Sequence, residues 1–250
     1  MRIGIIGFGN LGRSLASGLV RSGSAGAGDI YVCENSPEAC AIAENGPYNA
    51  HACGDVNLVI NNSDVVFLTV KSHVFEALSA GIIRSGLEGK TIVSCMAGVT
   101  FEMIYSLIGE VDLVRLMPSL AISVCDGVIA YTKCPPELVR VLGKLGYAFE
   151  TEPENIEKVM AFSSSGLGFA AHLIDAFVSA GEQMGFSSEQ ATRIARITFR
   201  NAIERGAFKD TVAAVSTPGG ATEQGVRYMN EHNVHSIVAV AVRKAYERMT

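Results

Sequence analysis

The sequence predicts an α/β doubly wound parallel sheet followed by an all-helical domain, and three observations carry that prediction. From Arg2 to about Ala148, short β-branched runs alternate with helical stretches, the pattern that builds a parallel sheet covered by helices. A Gly-x-Gly-x-x-Gly loop, Gly7-Phe8-Gly9-Asn10-Leu11-Gly12, directly follows the first run and opens a helix. After Tyr147 the period-2 patterning ends, with Glu152, Pro153 and Glu154 marking the break. The sheet domain is therefore expected at 1–150 and the helical domain at 151–250.

Strands are expected at 3–6, 30–33, 58–60, 65–70, 91–94, 113–116 and 127–131, each a short apolar or β-branched run. The run 58–60 is followed by Asn61, Asn62 and Ser63, which can equally cap or interrupt a helix there. The first helix is read at 11–21. Beyond the break, 155–184 carries apolar residues at three- and four-residue spacing, with a bend expected at 163–168. The helical pattern repeats over 188–207, where Ser187 and Ser188 are cap candidates, and 233–249 makes a final amphipathic helix. Phe169, Leu173, Ile174, Phe177 and Val178 sit together, while Ile237, Val238, Val240 and Val242 crowd the last helix. Roughly 100 residues of helix cannot hide that surface alone, so a homodimer through this domain is expected.

At 250 residues and 48% hydrophobic content the chain can bury a substantial core. Lys plus Arg number 20 against 25 for Asp plus Glu, and a net charge of -5 offers no basic field to nucleic acid or an anionic membrane. A small-molecule partner is expected. The N-terminus enters a strand within two residues, without a charged and apolar leader, which predicts a cytoplasmic protein. Its apolar runs, such as 65–70, fall far short of the roughly 20 residues that span a bilayer. The six cysteines (Cys33, Cys40, Cys53, Cys95, Cys125, Cys134) include no C-x-x-C pair and no histidine at ligand spacing, which argues against a metal and against a disulfide framework. His51, His73, His172, His232 and His235 show no triad spacing and read as structural or solvent-facing; His172, one turn beyond the 163–169 loop, is the one placed to face a cleft.

The glycine loop gives the sheet domain its Rossmann-type reading. Gly7 permits the tight turn, Gly9 lets the backbone approach a pyrophosphate, and Gly12 lets the helix pack on the strand, while the helix start supplies unpaired amides through Asn10 and Leu11. About 20 residues on, Glu34 ends the second strand, where an acidic residue hydrogen-bonds the adenosine ribose of NAD. Asn35 and Ser36 follow it with no arginine to neutralise a 2′-phosphate, so the site leans to NADH over NADPH, although both side chains could donate to a phosphate. Glu34 can also be read as a solvated strand end. At two further strand ends, Val70-Lys71 could reach the cofactor, and the small residues Ala97-Gly98 would let a flat ring approach the backbone; a surface lysine and a simple turn are the plainer readings. In the helical half, Thr217-Pro218-Gly219-Gly220-Ala221-Thr222 interrupts helical sequence just before 223–231. Such a helix start offers free amides to a carboxylate, with Thr222 adding a hydroxyl, or is simply a capped helix break.

The chain resembles the pyrroline-5-carboxylate reductase family from end to end. The landmarks are Ile5-Ile6-Gly7-Phe8-Gly9-Asn10-Leu11-Gly12, Val70-Lys71, Ala97-Gly98-Val99, Val114-Arg115-Leu116-Met117-Pro118, the 163–169 loop, and Pro218-Gly219-Gly220-Ala221-Thr222. The resemblance implies a helical domain that dimerises by interleaving, often with further assembly of dimers, and a nicotinamide lying between the domains under the substrate. It implies that Thr222 hydrogen-bonds the ring nitrogen of a cyclic imine, that Thr217, Gly219, Gly220 and Ala221 grip its carboxylate, and that Ser165 and Gly166 line the substrate site. The chain departs from the family pattern at Ser72, Ser119, Leu120, Leu167 and Phe169. These departures leave open a related imine or hydroxy-acid reductase, or a non-catalytic dinucleotide sensor. Hydroxy-acid reductases of this shape use a lysine on the long helix, where this chain has Lys158 too early and then His172.

Overall fold

In a computed structural model, described for residues 1–84 and 86–249, the chain divides into two compact units. One comprises 1–164 with the C-terminal end from Arg248; the other is 165–247. In the first unit, chain order is β1 (Ile3–Ile6), α1 (Asn10–Arg21), β2 (Ile30–Cys33), α2 (Pro37–Asn45), β3 (His51–Cys53), α3 (Val56–Asn61), β4 (Val65–Leu68) and α4 (Ser72–Arg84). It continues with β5 (Thr91–Ser94), α5 (Phe101–Ile108), β6 (Asp112–Pro118), a 3-10 turn (Leu120–Val124), β7 (Gly127–Tyr131), α6 (Pro136–Gly143), β8 (Gly146–Glu150) and α7 (Ile156–Val159). A π-helical turn, Met160–Ser164, closes the unit.

Among the described residues eight strands form one sheet in the order β3-β2-β1-β4-β5-β6-β7-β8. It is doubly wound and mostly parallel, as the alternating pattern requires, with Ile3 opposite both Ile30 and Val65. The exception is β7, antiparallel to β6 through Met117 and Ala130 and parallel to β8. Both faces are covered. Leu15, Ala16 and Leu19 of α1 pack with Val32, Phe67 and Leu116 on one side; Ile60 of α3, Phe75 and Ile82 of α4 and Ile104 of α5 pack with Ile6, Leu68 and Ile92 on the other. Each fully buried Leu, Ile or Phe contributes about 1.5–3 kcal/mol relative to exposure, which is why the strands read as unbroken apolar runs.

Two expectations need correction. The run 58–60 lies inside α3: Asp55 caps that helix by accepting from the Asn57 amide at 2.9 Å, so the apolar residues serve a helical face. Strands β3 and β8 were not anticipated. His51-Ala52-Cys53 has no β-branched residue and is a strand because β2 offers it a partner edge, and Gly146–Glu150 pairs with β7 along its whole length.

The second unit holds α8 (Ser165–Gln183), α9 (Ser188–Arg205), α10 (Phe208–Val215), α11 (Ala221–Glu231) and α12 (Val234–Glu247). The bend expected at 163–168 falls earlier, on the π turn Met160–Ser164; 165–168 are already the first turn of α8. Ser187 caps α9 in a reciprocal box: its hydroxyl accepts from the Gln190 amide at 3.3 Å, and the Gln190 carboxamide accepts from the Ser187 amide at 3.2 Å. Among the described residues of this unit only Ala191 and Ala195 are buried, while Ile203, Phe208 and Ile237 are each more than 60% exposed. The stretch Pro153–Gln183 is long and apolar enough to cross a membrane by length and composition, a property that counting contiguous apolar runs missed. It is interrupted by the π turn and carries Glu154, Glu157, Lys158, Asp175 and Glu182.

Candidate active site

β1 and β4 lie side by side, and the strand order runs outward from them in opposite directions. Their carboxyl ends border the crevice where open α/β sheets hold ligands. Gly7 turns the chain out of β1 at φ 98°, and a Cβ there would come within 2.6 Å of Val70 Cγ1. A Cβ on Gly12 would overlap the Gly7 carbonyl oxygen, so α1 can begin this close to β1 only with glycine at both positions. The space beside Gly9 is open, with no atom within 4 Å of a Cβ placed there. Asn10, Leu11 and Gly12 form the first turn of α1, whose amides have no carbonyl one turn back to bond, and the helix dipole favours an anion there. These residues fit a pyrophosphate.

Thr69, to which no sequence motif points, braces this turn: its hydroxyl lies 3.1 Å from the Ile6 carbonyl and 2.7 Å from that of Gly7. A lone hydroxyl after a strand carries no sequence signal of such a role.

Glu34, at the end of β2, is bound by three backbone amides. Its Oε2 accepts from Phe8 at 2.9 Å, and its Oε1 accepts from Asn35 at 2.8 Å and Ser36 at 3.0 Å. Burial pushes its carboxyl pKa up, but the amides of Phe8, Ser36 and Asn35 and the charge of Arg13 outweigh it and hold the group below the ordinary value. The Ser36 hydroxyl caps α2 by accepting from Ala39 at 3.3 Å, and Asn35 is exposed.

Val70 is half-buried against the glycine turn. Lys71 is exposed, its carbonyl accepting the Val74 and Phe75 amides at the start of α4. At the end of β5 the Cys95 amide donates to Leu68 and the Met96 amide to the Ser94 hydroxyl, leaving Ala97 exposed ahead of half-buried Gly98. Burial pushes the Cys95 thiol up to about 12, with Arg115 opposing, so this cysteine is a protonated packing residue. Ser119 is buried and locks the turn from β6 to β7: its amide donates to the Val128 carbonyl at 2.9 Å, and its hydroxyl accepts from the Val128 amide at 3.0 Å.

In the helical unit Ser165 and Gly166 are half-buried at the start of α8, with Leu167 and His172 exposed farther along. Thr217 and Gly219 are exposed, Gly220 caps α11, and Ala221 and Thr222 stand exposed in its first turn. The Gly219 amide donates to Glu223 Oε2 at 2.7 Å. A carboxylate therefore already occupies one of the donors at this helix start. The glycine loop and 34–36 come together at one edge of the sheet, with 70–71 and 97–98 at neighbouring strand ends; in the other unit 165–166 open α8, and 217–222 form the turn into α11 and its first residues. Among the described residues no cluster of His, Cys, Asp and Glu is arranged to hold a metal ion.

Residues 153–250 match the family model for pyrroline-5-carboxylate reductase dimerisation, and residues 2–98 match the family described as NADP oxidoreductase coenzyme F420-dependent. The chain is 29% identical to a pyrroline-5-carboxylate reductase of Aquifex aeolicus over 262 residues, covering 99% of this chain and 96% of that protein. It is 24% identical to the Staphylococcus aureus (strain COL) protein of the same name over 261 residues, again covering 99% and 96%. The crystal structure of Plasmodium falciparum pyrroline carboxylate reductase with NADP bound superposes with a TM-score of 0.90 at 18% identity, covering 100% of this chain and 97% of that one, a likeness of fold.

Proposed function

The chain belongs to the pyrroline-5-carboxylate reductase family, and from that premise we propose that it reduces the cyclic imine 1-pyrroline-5-carboxylate to L-proline, the closing step of proline biosynthesis. The observation that carries the reading is the end-to-end similarity to reductases of that name in a chain whose first turn is built for a pyrophosphate. A reduced nicotinamide dinucleotide supplies the hydride that adds to the imine carbon. The nitrogen takes its proton from solution, since a cyclic imine is protonated readily near neutral pH and the protonated form is the stronger electrophile. No strong buried acid is then needed.

In this reading Gly7, Gly9, Asn10, Leu11 and Gly12 bind the pyrophosphate, Glu34 with Asn35 and Ser36 reads the ribose, and Val70, Lys71, Ala97 and Gly98 border the nicotinamide. Ser165, Gly166, Thr217, Gly219, Gly220 and Ala221 hold the substrate, and Thr222 orients its ring nitrogen. The Glu223 carboxylate on the Gly219 amide supports the carboxylate assignment, because it is the same kind of acceptor that the substrate would present. The coenzyme is NADH. The amides of Asn35 and Ser36 that would receive a 2′-phosphate are engaged by the Glu34 carboxylate, whose charge would repel it. The protein acts as a homodimer through its helical unit, which leaves Phe177, Ile203, Phe208 and Ile237 uncovered on its own. The same second copy accounts for the apolar stretch Pro153–Gln183. Six free cysteines suit a reducing cytoplasm.

Consumption of NADH in the presence of 1-pyrroline-5-carboxylate tests the reading. A sensor would bind NADH and consume none, and a relative with a changed substrate would turn over a different imine. Replacing Thr222 by alanine should lower turnover substantially with dinucleotide affinity intact; an unchanged rate removes Thr222 from the mechanism.

A further inference from the structure

Arg115 and Glu157 form an ion pair inside the sheet unit. Arg115, in the middle of β6, is 3% exposed, and Glu157, on α7, is 8% exposed. Arg115 Nη2 lies 2.6 Å from Glu157 Oε1 and Nη1 lies 3.5 Å from Oε2. The same Nη2 donates to the Met96 carbonyl at 3.3 Å, while Nε is buried with no hydrogen-bond partner. Three chain segments therefore meet at one guanidinium: β6, the end of β5, and the short helix that leads through the π turn to Ser165.

Stability does not explain this arrangement. Burying two charges is costly, and well-packed apolar side chains of similar volume commonly serve the core as well or better. The unpartnered Nε is a further loss, since a buried donor left unmade is unfavourable. The fork is aimed to serve Met96 and Glu157 together. Lysine, a point charge on a flexible stem, could not hold both directions at once.

We infer that Arg115 and Glu157 are positioning residues for hydride transfer, fixing the Met96-Ala97-Gly98 edge that in the reading above borders the nicotinamide ring. The inference rests on the reductase reading above. Neither residue touches the reacting atoms. Their effect is the placement of the ring, where a displacement near 1 Å is enough to slow the reaction on the order of 100-fold.

The test compares wild type, Glu157→Gln and the apolar double variant Arg115→Met/Glu157→Leu. Thermal unfolding, kcat, KM, and the affinities for NADH and for ADP-ribose, which lacks the nicotinamide, are measured for each. The double variant keeps the fold accessible if the single charge change does not. Expected is a melting temperature of the double variant at or above wild type, a fall in kcat on the order of tenfold or more, and unchanged ADP-ribose affinity with NADH affinity reduced toward it. The inference is overturned by wild-type kcat in a folded variant, or by NADH and ADP-ribose weakening in parallel, the signature of a merely structural role. The affinity comparison needs no turnover, so it decides the matter even if the wild-type protein fails to reduce the imine, a failure that would count against the reductase reading alone.

Discussion

The Glu34 carboxylate, at the end of β2, is bound by the backbone amides of Phe8, Asn35 and Ser36. On the NADH reading, Glu34→Gln should bring NADPH affinity up on the order of tenfold, by removing one close like charge, and weaken NADH and ADP-ribose, whose ribose loses its charged acceptor; equilibrium titration with both coenzymes and with ADP-ribose checks it. The pH dependence follows in sign. A carboxyl held below its ordinary value stabilises the fold fully above that value, about 4.3 for Glu, and the contribution is lost as pH falls through the lowered folded value. Denaturant unfolding from neutral pH into this acid range should decline less steeply in Glu34→Gln than in wild type. Glu223 offers a second case. Its carboxylate competes for the Gly219 amide, so Glu223→Gln should lower KM for a carboxylate substrate while kcat holds; a higher KM would show instead that Glu223 shapes the loop.

At the scale of elements, the contact between α1 and the turn after β1 admits no added atom. Gly12→Ala sets a Cβ against a backbone oxygen that cannot rotate away, and should cost about 1–3 kcal/mol in unfolding free energy together with most of the dinucleotide affinity. Calorimetric titration and chemical denaturation would read the two losses separately. Elements whose local sequence agrees with their partners are legible in the residues alone: β1, β2, β5 and β7 fall where the β-branched runs stand, and the Ser187 cap opens α9 as its spacing requires. Elements decided by distant partners are not. Val56–Asn61 is apolar enough for a strand or a helix, and Asp55 with the space over the sheet settles it. β3 exists only as an addition to β2. The glycine loop is legible because the tight turn from β1 into α1 admits only glycine at fixed spacing. Thr69 and the Arg115–Glu157 pair are not, since partners 63 and 42 positions away leave no local trace.

For the molecule as a whole, the helical unit buries little of its own surface. With Ala191 and Ala195 its only buried residues among those described, the unit falls well short of the burial expected of a stable domain. A groove of about 1020 Å³ lined by Ile174, Ile197, Phe199 and Ile203 runs along α8 and α9. Ile197→Glu and Ile203→Glu should each shift sedimentation toward monomer and lower the melting temperature; a dimer that survives both would place the interface elsewhere. The open sheet has its own consequence. Among the described residues its two rims, β3 and β8, keep a row of backbone donors and acceptors that no neighbouring strand satisfies. At three residues, β3 is too short to template a stranger. β8 has five residues, with Tyr147 standing 71% exposed. Under crowding or partial unfolding, that border is where intermolecular strand addition, and hence precipitation, would begin, and Glu150 at its end is the charge that discourages it.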